Sequence, residues 1–351
     1  MPRCRTRSGV RGCGTSIERN PGGNVMRKIA LSLAAAAVAG LGSIPALAQD
    51  WPSRPVTMLI AFAPGGPLDT LGRNLQPYLS EALGQNVIIE NQPGGGGTVG
   101  SLRVSNAAAD SHMFTLGSIG THAIGQSMHK TPPYNAVTDF SPVMLVADAP
   151  QVLLARKDLP AENLKEFAAY AKANQDKMQH GSGGAGTSSH IGCVLMNQVL
   201  GVKITHIPYR GGGPAMQDLL AGRIDFICNY ISTALSSHRA KTAKVLATLN
   251  AKRVPTLPDV PTAQEQGFKN LEISAWNAIF MPKSATPQQV AKLNSALNKA
   301  LDNPALQKRL EDIGLEVPVP ARRTPEYLRE FVAAEIKRWR EPVLASGVQH
   351  N

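Results

Sequence analysis

The chain has 351 residues, a length that points to two domains rather than one. Its formal charge is +11, but residues 1–48 hold seven Lys/Arg and one acid, +6 net, so the remainder carries only 11 − 6 = +5. No Lys/Arg stripe interleaved with aromatics survives in that remainder, which removes the ground for a nucleic-acid partner, and no later stretch approaches the ~20 apolar residues of a membrane span.

Met26-Arg27-Lys28 forms a basic start, Ile29 to Ile44 an apolar Ala-rich run, and Ala46-Leu47-Ala48 a small-x-small cleavage site. This pattern predicts a signal peptide over 26–48, cut after Ala48, and a periplasmic mature protein. Residues 1–25 are Arg- and Gly-rich without apolar period, and Met26 is the expected start, a long n-region being the alternative. No Cys follows Ala48, so no lipid anchor is expected. Cys193 and Cys228 remain in an oxidising compartment, read as two buried free thiols with a disulfide as the alternative.

Strand-like runs fall at 55–62, 86–90, 113–117, 142–147, 151–156, 204–208, 224–228, 244–249 and 273–281. Helical spacing fills 68–83, 98–109, 162–174, 187–200, 213–221, 286–301, 303–313 and 325–345. Thr286-Pro287 and Thr324-Pro325 place Pro at the first helical position. The alternation predicts an α/β protein with largely parallel, doubly wound sheets, and the unbroken apolar strands predict sheets covered on both faces. Two segments read as crossings between lobes: Val143 to Arg156, broken at Asp148-Ala149-Pro150, and Leu271 to Pro282. The expected division is 49–150 plus 273–351 as lobe 1 and 151–272 as lobe 2, a plan suited to an exported solute-binding protein.

Four glycine-bearing turns follow strands. Phe62-Ala63-Pro64-Gly65-Gly66 enters a helix whose first turn holds Asp69 and Thr70. Such a turn lets backbone N–H groups converge beside a positive helix end. Asp69 either caps the helix or accepts from a ligand. His180 to His190 holds Gly181-x-Gly183-x-x-Gly186, the dinucleotide spacing, but no acid lies between Asp176 and Asp218 to hold a ribose. NAD is therefore rejected, and Ser188 and Ser189 at the helix start are kept as anion donors. Gly117 to His122 and Tyr209 to Pro214 are the third and fourth turns. Arg210 is read evenly as a carboxylate partner or a surface residue, Asn229 as facing the cleft and Asp225 as structural. Gly94–Gly97 reads as a mobile tight connection. No Gly-x-Ser-x-Gly elbow, phosphate loop, His-Glu-x-x-His or Cys-x-x-Cys occurs, and His122 and His129 are too far apart for a metal site without a third ligand.

Trp51-Pro52-Ser53-Arg54-Pro55, Phe62 to Thr70, Glu90 to Thr98, Tyr209 to Ala215, Gly222 to Asp225 and Pro258 to Thr262 together resemble the tripartite tricarboxylate transporter substrate-binding proteins, the Bug family, over essentially all of 50–346. The resemblance implies a two-lobed periplasmic-binding-protein type II fold with two hinge strands. It implies a carboxylate held by backbone groups and waters from 63–70 and 182–189. Relatives often carry Asp where this chain has Asn229, which implies a less cationic ligand here. The candidate ligand-binding set is Phe62, Pro64, Gly65, Gly66, Asp69, Thr70, Ser118, Thr121, Gly183, Ala185, Thr187, Ser188, Ser189, Tyr209 and Asn229. No catalytic residue, metal or cofactor is expected. The expected partners are a small carboxylate and the membrane permease subunits of a tripartite tricarboxylate-type transporter, the protein being a monomer. The rival readings are a sensing module for a membrane kinase, and a hydrolase using Ser118 or Ser188 with His122 or His190.

Overall fold

Strand β1 (Val56–Ile60) pairs in parallel with β2 (Val87–Asn91) on one side and β3 (Met113–Ser118) on the other. Its sequence VTMLI shows no polar alternation because four of its five residues are buried. The computed structural model to which these strands belong describes residues 51–345 together with Gly14 and Gly347. The expected leader, its cleavage site, Cys4 and Cys13 lie outside the described residues.

The remaining strands are β4 (Phe140–Arg156), β5 (Gln179–Ser182), β6 (Thr205–Pro208), β7 (Phe226–Tyr230), β8 (Ala243–Thr248) and β9 (Ser274–Pro282). The sheet order is β2-β1-β3-β9-β4-β7-β5-β6, with β8 also on β4. The helices are α1 (Pro67–Leu83), α2 (Thr98–Ser105), α3 (Gly125–Met128), α4 (Leu164–Asn174), α5 (Ser188–Leu200), α6 (Gly212–Leu220), α7 (Ile231–Arg239), α8 (Pro287–Leu301), α9 (Pro304–Asp312) and α10 (Pro325–Ala345). The Thr286-Pro287 start is a full capping box: Thr286 Oγ1 accepts from Gln289 N–H, and the Gln289 side chain from Thr286 N–H.

β4 carries the chain across the sheet. Through Pro150 it pairs with β9; from Gln151 it pairs with β7 and β8. The sequence divides this stretch in two at Asp148-Ala149-Pro150, but it is one strand. Proline has no N–H to give a ladder, and here it stands where the partner changes. Among the described residues every antiparallel strand pairing involves β4 or β9, while β1–β2, β1–β3, β5–β6 and β5–β7 are parallel.

Polar groups brace the crossing. Asp148 and Glu316 exchange backbone hydrogen bonds at 2.9 and 3.0 Å, and both Asp148 carboxylate oxygens accept from Arg322. The buried carboxylate of Glu335 accepts from the indole N–H groups of Trp276 (2.9 Å) and Trp339 (3.2 Å). Removing water from an ion is tolerated because donors replace it. Cys193 and Cys228 are free, and Cys228 N–H donates to Cys193 Sγ at 3.0 Å. Asp225 accepts from Arg156 and from Gln179 N–H, a structural assignment as read from sequence.

Candidate ligand site where four helices begin

The turn Phe62 to Gly66 is shaped by Asp69. Its buried carboxylate accepts from Gly65 N–H (3.0 Å), Arg73 Nε (2.8 Å) and Asn91 Nδ2 (3.0 Å), while the same Asn91 amide reaches Phe62 O (3.0 Å). Burial pushes the Asp69 pKa up, but these donors outweigh it and hold it below the ordinary carboxylate value. Asp69 thus builds the turn, and its oxygens are occupied by the protein. Gly65 is required there because its φ is +78°.

The turn from β5 to α5 is built the same way. Thr187 caps α5: its hydroxyl accepts from His190 N–H (3.3 Å) and donates to Gly184 O (2.6 Å). Ser189 Oγ accepts from Gly183 N–H at 3.0 Å, and His190 Nδ1 from Gly186 N–H at 3.2 Å. Ser188 Oγ donates to the Tyr230 hydroxyl at 3.0 Å. After β3, residues Gly120–Ile124 form a π-helical turn, a rare geometry concentrated at functional sites. Thr121 Oγ1 links Ser118 N–H (3.0 Å) to His122 Nδ1 (2.8 Å). His122 is fully buried, stacked on Phe280 at 3.8 Å between ring centroids, and burial pushes its pKa down to about 3.

These turns enclose a cavity of about 30 Å³, room for a water or two. Of the sequence candidates, Phe62, Ser118, Gly183, Thr187, Ser188, Ser189 and Asn229 line it. Thr121, Ala185 and Tyr209 instead line a second cavity of about 250 Å³. Pro64, Gly65, Gly66, Asp69 and Thr70 line neither. Pro67, Leu68, Gly212 and Tyr230 also line the small cavity without being in the candidate set, although the first three lie in the Phe62 to Thr70 and Tyr209 to Pro214 stretches singled out from sequence. Their signal was present in part: each stands at a helix start. Leu68, Ser188 and Gly212 lie in the first turns of α1, α5 and α6, and Tyr230 is the N-cap of α7. Four helix N-termini therefore converge on one small space. Among the described residues, no Lys, Arg, Asp or Glu lines it. Burial pushes the Tyr230 pKa up to about 12, so its hydroxyl stays a neutral donor or acceptor beside Ser188, Asn277 and Ser118. Asn277 is buried, and its Nδ2 has no partner among the described residues.

The walls meet through backbone. Ala63 N–H donates to Arg210 O at 3.0 Å. The Arg210 side chain is exposed, in keeping with the surface alternative. A Cβ on Gly96 would fall 2.1 Å from Ala185 O, and one on Gly120 would fall 3.2 Å from Thr187 Cα. Gly94 to Gly97, read from sequence as a mobile connection, is instead a shaped closing element: each of the four has positive φ, and two of them face Ala185, Phe62 and Thr121. Of the serines read as rival nucleophiles, Ser188 gives its hydroxyl to Tyr230, and the Nδ1 of His122 and of His190 faces Thr121 and Gly186. No group of three metal-ligating side chains occurs among the described residues.

Asn229 lines the cavity with its amide already committed. Its Nδ2 donates to Thr233 Oγ1 (3.0 Å), and its Oδ1 accepts from Tyr230 N–H (2.9 Å). Asn229→Asp is expected to place a carboxylate among the helix ends and weaken binding of any anion at least tenfold. Calorimetric titration of parent and variant with one carboxylate checks this; equal affinities would remove Asn229 from the site.

The chain is 38% identical to MatC from Rhodopseudomonas palustris, whose structure contains malate, over 84% of this chain and 100% of that one, with a TM-score of 0.81. BugD, a periplasmic binding protein, is 36% identical over 86% of this chain and 100% of that chain, with a TM-score of 0.82. BugT of Bordetella pertussis is 32% identical over 327 residues, 93% of this chain and 99% of that protein. The two-lobed architecture of these solved structures is the fold of this chain. Residues 71–347 match the TctC family, the tripartite tricarboxylate transporter family receptor, and the chain belongs to that family.

Proposed function

We propose that this protein captures a small carboxylate-bearing metabolite between two lobes in the periplasm and presents it to the membrane subunits of a tripartite tricarboxylate-type transporter. One observation carries the reading: four helix N-termini meet at a cavity that no charged side chain among the described residues lines. Each helix end offers unpaired N–H groups and a partial positive charge, contributing about 0.3–1 kcal/mol toward an anion and up to ~2 where partly buried. Charge-assisted hydrogen bonds from Ser, Tyr and backbone donors contribute roughly 1.5–3 kcal/mol each, so three or four of them together with the helix ends supply a gross attraction of the order of the ~8 kcal/mol that micromolar affinity requires. A carboxylate needs no salt bridge here. Among the described residues no acid lines the cavity to meet an ammonium, so plain carboxylates are favoured over amino acids. Relatives point the same way: one structure holds malate and another, from R. palustris, adipate.

In this reading the lobes are 49–150 plus 273–351 and 151–272, the chain acts as a monomer, and the leader is removed after Ala48. It binds and releases its solute unchanged. A cavity of about 30 Å³ is too small for such a solute, so the lobes part for entry and reclose around it. The decisive experiment is thermal unfolding with a library of carboxylates and amino acids, joined to mass spectrometry of any co-purified solute. A matching carboxylate at 100 times its Kd is expected to add ~2.7 kcal/mol, a shift of several degrees. A midpoint unmoved by every carboxylate, or moved only by cationic solutes, would defeat the proposal.

A further inference from the structure

Cys193 and Cys228 are the two cysteines among the described residues, and neither lines the ligand cavity. Both flank it in the chain. Cys193 lies in α5, one turn past Ser189, and Cys228 directly precedes Asn229 and Tyr230 in β7. Both side chains are fully buried, and the structure shows them as thiols.

The two are placed for a bond. Cys228 N–H reaches Cys193 Sγ at 3.0 Å, so the Cys228 Cα, one N–Cα bond further on, lies within about 4.5 Å of that sulfur. This is within the reach of a disulfide, whose Cα atoms stand roughly 4.4–6.8 Å apart. The thiols also hydrogen-bond each other. Glycine at 192 lets α5 lie this close to β7: an added Cβ there would fall 3.2 Å from Cys228 Cβ. Their protons are held unequally. Burial pushes both thiols up, but at Cys193 the hydrogen bond with Cys228 and the neighbouring His180 outweigh it and bring the pKa down to about 6. At Cys228 the facing Cys193 sulfur adds to burial and holds the thiol well above its ordinary value. A thiolate beside a protonated thiol is the pairing that disulfide exchange uses.

We propose that Cys193 and Cys228 close into a disulfide in the exported protein, a covalent clasp between the helix that begins at Ser188 and the strand that ends at Asn229 and Tyr230. The oxidant is another disulfide, carried by a protein or by glutathione. One cysteine thiolate attacks it, a mixed disulfide forms and one oxidant thiol leaves. The other cysteine gives up its proton and attacks the first cysteine's sulfur; the mixed disulfide breaks and the second oxidant thiol leaves. Two protein thiols lose two electrons and two protons, and one oxidant disulfide becomes two thiols. Because both sulfurs are buried in the folded protein, the first exchange precedes the docking of α5 on β7. The clasp then holds Ser188 against the Tyr230 hydroxyl to which it donates. The proposal rests on export to an oxidising compartment and is independent of which solute is bound.

The test is thiol mapping. The reduced whole protein is refolded in a buffer of glutathione and glutathione disulfide, then unfolded with an alkylating maleimide, digested and analysed by mass spectrometry. A peptide pair linked through Cys193 and Cys228, with neither cysteine alkylated, is expected, and the same link is expected in protein recovered from the periplasm without reductant. Two alkylated thiols in either preparation, or each cysteine capped by glutathione, would overturn the proposal and leave the carboxylate reading standing. Refolded with reductant, the parent is expected to unfold several degrees lower, since the bridge no longer restrains the unfolded chain. The Cys193→Ala, Cys228→Ala double variant has no bridge to lose, and its midpoint should not respond to reductant. A parent midpoint equally indifferent to reductant would overturn the clasp.

Discussion

Gly96→Ala is expected to weaken carboxylate binding at least about a hundredfold, ~2.8 kcal/mol at 1.4 kcal/mol per factor of ten. The cause is contact across the cleft. A methyl group at this position would stand 2.1 Å from the Ala185 carbonyl oxygen, a backbone atom that no rotamer change can move aside. The clash exists only when the walls meet, so the variant is held open and the apparent affinity falls with the fraction of closed molecules. A second, smaller cost is shared by both states: Gly96 has φ +64°, where alanine loses ~1–2 kcal/mol. Gly84→Ala separates the two. Gly84 has φ +68° at the end of α1, with open space where its Cβ would be. Both variants should lose similar stability, and only Gly96→Ala should lose affinity. Calorimetry and small-angle scattering with and without ligand measure this. If Gly96→Ala binds within threefold of the parent and still compacts, the glycine contact is not what closure depends on.

Acid is expected to destabilise the protein well before its carboxylates titrate, through His122. Burial pushes its pKa from 6.5 to about 3. Once unfolded, the ring regains its ordinary pKa and binds a proton more readily. The stabilisation is therefore complete above pH 6.5 and is lost progressively as pH falls toward 3. At pH 5 the loss from this residue is about 2 kcal/mol, from 1.36 kcal/mol per pKa unit. His206 adds to it: burial first, then the neighbouring His190 and His180, push it down to about 3. His122→Phe replaces the ring between Phe280 and Phe140 with one that cannot take a proton. Its stability between pH 7 and 5, from urea midpoints, should fall by about 2 kcal/mol less than the parent's. Equal acid losses in the two proteins would place the proton elsewhere. Because His122 holds Thr121 and Thr121 holds Ser118, the same protonation should slacken the wall of the ligand cavity before global unfolding.

Much of this architecture could be read from the chain. Apolar strands, the proline-started helices and the glycine turns carry local signals, because a cap, a first-turn proline and a positive φ each favour few residue types. What escaped lacked such signals. Strand β5 reads Gln-His-Gly-Ser, without apolar residues or alternation; it is a strand because β6 and β7 flank it. Helix α7 reads Ile-Ser-Thr-Ala-Leu-Ser-Ser-His-Arg and follows β7 with no turn residue between, so serines hid it. The site divides likewise. The turns bearing Phe62, Ser118 and Gly183 to Ser189 were visible as glycine turns before helices or after strands. Tyr230 and Asn277 were not, since the Tyr230 hydroxyl meets Ser188, Asn277 and Ser118 only after distant strands are laid side by side. Gly94 to Gly97 looked like slack chain because glycine serves flexibility and close approach equally well; only the facing Ala185 carbonyl tells which use applies.

Both passages of the polypeptide across the middle of the molecule are made in hydrogen-bonded strand, since β4 pairs with β9 through Pro150 and with β7 and β8 from Gln151 onward, while Ile273 N–H, just before β9, donates to Leu249 O. The neck is a woven ribbon rather than a pair of tethers. Under the proposed function, opening bends and twists that ribbon as a whole, and among the described residues of both passages the backbone is tied into strand pairing rather than offered to a protease as a loose strap.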